Sequence, residues 1–198
     1  ADAERQVPLT VETPLRIASN TKPFTAATVL RLSEQGVIDL DAAIAPLIAR
    51  ELNSLLLADG YDTNKITVRQ LLSHSAGLYD HGGDSRFSEA LFSSPDRQWT
   101  REDLVRLSTA LGDPQSEPGT EFRYSDTGYV LLGDIVERVT GLSLAAAVRR
   151  ELHLDRLGLK STWWEIMETP PEGVEARARQ FIGNREATQI HASMDLYG

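Results

Sequence analysis

Apolar residues recur at helical spacing along much of this chain, and the positions that break the pattern read as helix ends. From Asn20 to about Gln35, Phe24, Ala27 and Leu30 fall three apart, and Gly36 sits where a helix would stop. Thr67 and Gln70 form a capping box leading into Val68–His74, with Gly77 closing it. Thr100 and Asp103 open Arg101–Leu111 in a similar way. Ser125 or Asp126 can cap a helix that runs to about Val139 and stops at Gly141, and Ser143 caps another reaching about Leu152. Residues 1 to 13 are polar, and Pro8 and Pro14 flank Leu9–Thr13, which predicts a short extended piece. Residues 169–198 are punctuated by Pro170, Pro171, Gly173 and Gly183 and repeat no face cleanly, so they read as loop with at most one short strand. The expectation is a helix-rich chain with few strands.

Composition narrows the class. A chain of 198 residues, 41% hydrophobic and 25% charged, can build one globular core. It has no apolar run of the roughly 18 residues a membrane span needs. A net charge of −9 argues against nucleic acid or an anionic membrane as partner, since both reward a basic surface. With no cysteine, disulfides, thiol catalysis and cysteine metal sites are excluded. No signal peptide is legible at the N-terminus, and a cysteine-free chain suits cytoplasm and periplasm equally. The compartment stays open.

Candidate chemistry lies in two places. Ser19-Asn-Thr-Lys22 is the one Ser-x-x-Lys in the chain, and it falls at the start of a predicted helix. Residues three apart on a helix share a face, so the Lys22 ammonium can reach the Ser19 hydroxyl. A serine hydroxyl is a poor nucleophile until a base takes its proton. The positive end of a helix favours a developing alkoxide there, and free first-turn N–H groups can face an oxyanion. The same residues also suit a plain N-cap followed by a solvated charge. Pro23 biases Lys22 away from helical geometry, so a slightly irregular first turn is expected. The second place is Pro118–Gly133, where Tyr124 precedes a predicted helix. A tyrosine beside an ammonium can serve as general base and then as acid, because the positive charge favours its phenolate. The four histidines lack metal-ligand spacing, so no metal or other cofactor is expected. His74 reads as structural, tying a helix end to a loop, and Trp163-Trp164 reads as packing for the helical region.

Three stretches, in order and with matching spacing, resemble the β-lactamase-related serine hydrolases: class C β-lactamases, D-alanyl-D-alanine carboxypeptidases, D-aminopeptidases and β-lactamase-like esterases. They are Leu15–Ala26 around Ser19, Ile66–Leu78 around Ser73-His-Ser-Ala-Gly77, and Pro118–Gly133. The resemblance runs from about Pro14 to Trp164. It implies an α+β fold of β-lactamase/transpeptidase type and a reaction through an acyl-enzyme on β-lactams, D-amino-acid peptides or short-chain esters. It implies Ser19 as nucleophile, Lys22 as its proton acceptor or electrostatic partner, and Tyr124 as general base and acid. The third residue of the Tyr-x-Asn element, normally a substrate-binding asparagine, is Asp126 here. An amide donates an N–H to a substrate carbonyl, whereas an ionised carboxylate only accepts. Asp126 can instead hold Lys22 charged, which favours Tyr124 as the base and weakens the case for β-lactam hydrolysis.

The family's third element, a Lys-Thr-Gly or His-x-Gly strand, does not follow the Tyr124 block in these 198 residues, and Asp80-His81-Gly82-Gly83 falls far too early in the chain to be it. The chain is therefore expected to be a single partial domain: a nucleophile segment and helix at 14–36, a helical region at 37–168, and an irregular tail at 169–198. It reads as an incomplete piece of a longer hydrolase, the alternative being a natural short form that is a non-catalytic scaffold or borrows strands from a partner. A helix that lacks its covering sheet exposes apolar surface, so association or strand exchange with another chain is expected.

Overall fold

The computed structural model describes residues 6–195. Seven α-helices follow one another in chain order: α1 Lys22–Glu34, α2 Arg50–Ala58, α3 Val68–Leu72, α4 Ser85–Ser93, α5 Arg101–Leu111, α6 Asp126–Thr140 and α7 Leu144–Glu151. A 3-10 turn, Ala18–Thr21, runs directly into α1, and a second, Ala192–Asp195, ends the described chain. The predicted helices are present, with α2 and α4 in addition.

The helix starts follow the capping logic. Thr67 and Thr100 each close a full capping box, and the Ser143 hydroxyl accepts the Ala146 N–H. Ser125 precedes α6 but sends its hydroxyl elsewhere, to the carbonyl of Tyr79. At the far end of α6, Gly141 adopts the left-handed conformation that ends many helices. The α2 start has no side-chain cap of its own; the Ala49 N–H donates to Asp134 of α6 at 2.7 Å. An isolated antiparallel bridge between Ala43 and Thr67 ties the loop before α2 to the start of α3.

α6 forms the axis of the core. Its residues Thr127 to Val136 are all buried, and it packs against α1, α3, α5 and α7. Leu131, Leu132 and Ile135 meet Leu71 and Leu78, Leu104 and Val105, and Leu144 and Val148 in one continuous cluster. On α1 the buried stripe is Lys22, Thr25, Thr28, Val29 and Leu32. The predicted apolar face is thus turned: Leu30 is 48% exposed, because the threonine-bearing side is the one applied to α6 and α7.

The tail forms a two-stranded antiparallel hairpin, β1 Phe181–Ile182 and β2 Arg185–Glu186, around Gly183-Asn184. Gly183 takes φ 58°, as a two-residue hairpin turn requires. This is one short strand more than expected. Just before it the tail returns to the N-terminal segment, where the Ala178 N–H donates to the Pro14 carbonyl at 3.1 Å and Gln180 donates to the Arg16 carbonyl. The extended piece expected at Leu9–Thr13 is instead bent, since the Thr13 N–H closes a turn on the Thr10 carbonyl. Residues before Gln6 and after Asp195 lie outside the described part.

Candidate active site

Local geometry around Ser19 follows from its neighbours. Pro23 stands in the first turn of α1, and the chain ahead of it tightens into the 3-10 turn that carries Ser19. Ala18 takes φ 44°, a left-handed conformation unusual for a residue with a Cβ. The expected irregular turn is there. Ser19 is exposed, whereas Lys22 is nearly covered and donates to Ser19 Oγ at 3.2 Å.

Tyr124 reaches the same hydroxyl from the loop before α6, with Oη 2.8 Å from Ser19 Oγ. His74 holds that loop on both sides of Tyr124. Its carbonyl accepts the Arg123 N–H at 2.7 Å, and its Nδ1 accepts the Ser125 N–H at 3.2 Å. Its ring also stacks on the Tyr124 ring, centroids 4.4 Å apart. His74 itself adopts φ 53°. Burial, then the Lys22 charge, pushes the imidazole below its ordinary pKa, which suits a ring nitrogen that must accept an N–H.

Asp126 is the first residue of α6, and its Oδ1 lies 2.6 Å from Lys22 Nζ. Burial alone would favour neutral Lys22. The charge and hydrogen bond of Asp126, with a smaller contribution from Tyr124, outweigh burial and hold the ammonium above its ordinary range. Lys22 is a charged partner here.

Behind Asp126 lies Asp80-His81-Gly82-Gly83, which stands too early in the chain to be the family's third element and was given no role from sequence. Asp80 accepts the backbone N–H of Asp126 at 3.0 Å and those of Gly82 and Gly83. Gly82 presses against the Asp126 carboxylate so closely that a Cβ would fall 1.8 Å from Oδ2. His81 is buried and hydrogen-bonds Thr127 through Nδ1, while the Tyr79 carbonyl accepts the hydroxyls of Ser108, Ser125 and Thr127. The legible signal was the Asp-x-Gly-Gly turn, whose side chain caps its own following N–H groups. Its service to Asp126 depends on tertiary placement.

Ser19, Lys22, Tyr124 and Asp126 thus come together from two segments about a hundred residues apart. Among the described residues, no group of three His, Cys, Asp or Glu side chains is placed to hold a metal. Trp163 and Trp164 serve the helical region in part, since Trp164 packs on the core. Both also line a cavity of about 300 Å³ with Ile17, Thr21 and Phe24, on the flank of the nucleophile turn.

The geometry matches known proteins along nearly the whole chain. A D-stereospecific amidohydrolase from Streptomyces superposes with a TM-score of 0.78 at 29% identity, covering 92% of this chain and 55% of that one. The D-amino acid amidase from Ochrobactrum anthropi SV3, complexed with L-phenylalanine amide, does so at 0.74 and 30%, covering 98% and 52%. A penicillin-binding protein of Bacillus subtilis is 26% identical over 185 residues, 92% of this chain and 37% of its own length. This chain therefore spans roughly a third to a half of the relatives it matches. The beta-lactamase family model matches residues 1–194, and on that ground, together with the fold, the chain belongs to the beta-lactamase family.

Proposed function

We propose that this chain is the nucleophile-bearing part of a serine hydrolase that works through an acyl-enzyme. The observation that carries the reading is the convergence on Ser19 Oγ of Tyr124 Oη at 2.8 Å and Lys22 Nζ at 3.2 Å. Ser19 attacks a substrate carbonyl, and Tyr124 takes the hydroxyl proton and returns it to the leaving group. Lys22, kept charged by Asp126, stabilises negative charge in that exchange and does not serve as the base. The Ser19 N–H faces the oxyanion. The names of the amidohydrolase and the amidase support amide substrates with D-stereochemistry, beside short esters and β-lactams. Exposed Leu15, Ile17 and Leu30 near the nucleophile helix support association with a further chain or segment.

A fluorophosphonate and a p-nitrophenyl ester, each followed by intact mass, test the reading. One adduct per chain, absent in Ser19→Ala, is the expected result. No adduct with either reagent overturns it. The second reading, a non-catalytic binding derivative, draws on one observation: Asp126 stands where the family motif carries an amide donor. Under that reading substrate analogues bind with no mass change.

A further inference from the structure

The cavity of about 300 Å³ beside the nucleophile turn plays no part in the chemistry proposed for Ser19. Ile17 and Thr21 reach it from either side of that serine, yet Ser19, Lys22 and Tyr124 do not line it. Phe24, Trp163 and Trp164 give it an aromatic wall. Its volume stands at the lower end of the range for small-molecule pockets, about 300–1,000 Å³, which suits one ring with a short substituent.

The charges around this cavity do not balance. Arg149 is answered twice, by Glu168 and by Asp155, each at 2.7 Å. Arg16 and Arg177 share one carboxylate, Glu165, at 2.8 and 3.1 Å. Two cations thus face one anion where water is scarce, their side chains being 11% and 18% exposed. Arg177 directs its other nitrogens to Gln180 and the Thr188 carbonyl, whereas Arg16 makes no side-chain hydrogen bond beyond Glu165 among the described residues. Burial, then the Arg16 charge, holds Arg177 below its ordinary pKa in spite of Glu165. The wall also carries a neutral donor, because Trp163 Nε1 is buried with no acceptor among the described residues.

The unanswered groups are therefore a positive charge and an N–H, and both call for a negatively charged acceptor. An amine would add to the excess of cations, and a neutral amide would leave it in place. A carboxylate cancels it, and its lone pairs, about four in number, can serve the guanidinium and the indole together. We propose that this cavity is a binding site for small aryl carboxylates, with the ring against Phe24, Trp163 and Trp164 and the carboxylate toward Arg16.

Nuclear magnetic resonance of isotope-labelled protein tests the site directly. Three tryptophans give three indole N–H signals, and Trp163→Phe assigns one of them by its loss. The ligands para-ethylbenzoate, para-ethylbenzamide and para-ethylbenzylamine are titrated at about pH 7, where the first is an anion and the last a cation. The benzoate is expected to bind about tenfold or more tightly than the amide, and the amine most weakly. The Trp163 signal is expected to move downfield as the benzoate binds, because its N–H gains a charged acceptor. In Arg16→Gln protein the preference for benzoate over amide is expected to shrink about tenfold. Should that variant not fold, the ligand series and the indole signal of the parent protein decide. Equal binding of benzoate and amide, no benzoate binding at about 10 mM, or a Trp163 signal unmoved by bound benzoate overturns the inference. A preference unchanged in folded Arg16→Gln protein does so as well. Acylation of Ser19 enters none of these outcomes, so the hydrolase reading and this site stand or fall separately.

Discussion

Ala18 and Gly82 shape the surroundings of Ser19 in opposite ways, one by holding a strained backbone and the other by leaving room. A left-handed conformation costs an L-residue about 1–2 kcal/mol, and Ala18 sits in it at φ 44°. Ala18→Gly is therefore expected to raise stability by about 1 kcal/mol, read as a higher urea midpoint. At Gly82 the added Cβ of Gly82→Ala would collide with Asp126 Oδ2, forcing the carboxylate off Lys22. Acylation of Ser19 by a p-nitrophenyl ester should slow by about tenfold or more, with the chain still folded by circular dichroism. An unchanged acylation rate would show that the Asp126 position does not matter to the reaction. Ser19 and Lys22 could be picked out by their three-residue spacing, and Tyr124 and Asp126 by the resemblance of the Pro118–Gly133 stretch to the family's Tyr-x-Asn element. Asp80 and Gly82 could not, since one acts through backbone N–H groups and the other through the absence of a side chain.

Helix starts with a local cap were legible, and a start capped from afar was not. Thr67, Thr100 and Ser143 each bond an N–H three residues on, which a reader of the sequence can see. Ala49, the residue just ahead of α2, has its N–H satisfied by Asp134, 85 residues away. The contact that fixes its start therefore lay on another helix. α4 was hidden for a different reason: it buries just Phe87 and Leu91, too few positions to establish a period. The face of α1 was misjudged because Thr25 and Thr28, polar by type, occupy the buried stripe. Thr28 meets that cost by donating its hydroxyl to the Phe24 carbonyl. The two kinds of cap make a contrast that can be measured. Thr100→Ala should cost about 1 kcal/mol, confined to the α5 start. Asp134→Ala should cost about 1–3 kcal/mol, because it leaves the Ala49 N–H without its acceptor inside the fold. Urea titration of both variants gives the comparison, and equal losses would remove the distinction drawn here.

Over the whole molecule, two histidines give the fold a pH dependence of definite sign. Burial holds His74 and His81 below their ordinary pKa of 6.5. As pH falls through 6.5 the unfolded chain takes up protons that the folded chain refuses, so stability must fall with it. Below the folded pKa values the loss levels off. Urea midpoints measured from about pH 7 to about pH 5, above the range of ordinary carboxylates, should decline, and a flat profile would contradict this. The helical half of the architecture could be read from periodicity and caps. The family's third-element strand could not be placed, because no Lys-Thr-Gly or His-x-Gly follows Tyr124 in this sequence.

The return of the tail to Pro14 and Arg16 sets an order of events in the life of the chain. Residues just ahead of Ser19 leave the ribosome well before a partner that fixes them, Gln180, 164 positions further along. Helices built from local contacts form early, and such a distant closure comes late. Until Gln180 has been made, the segment ahead of the serine would therefore lack this anchor, and the closure around Ser19 would be among the last steps of folding rather than the first.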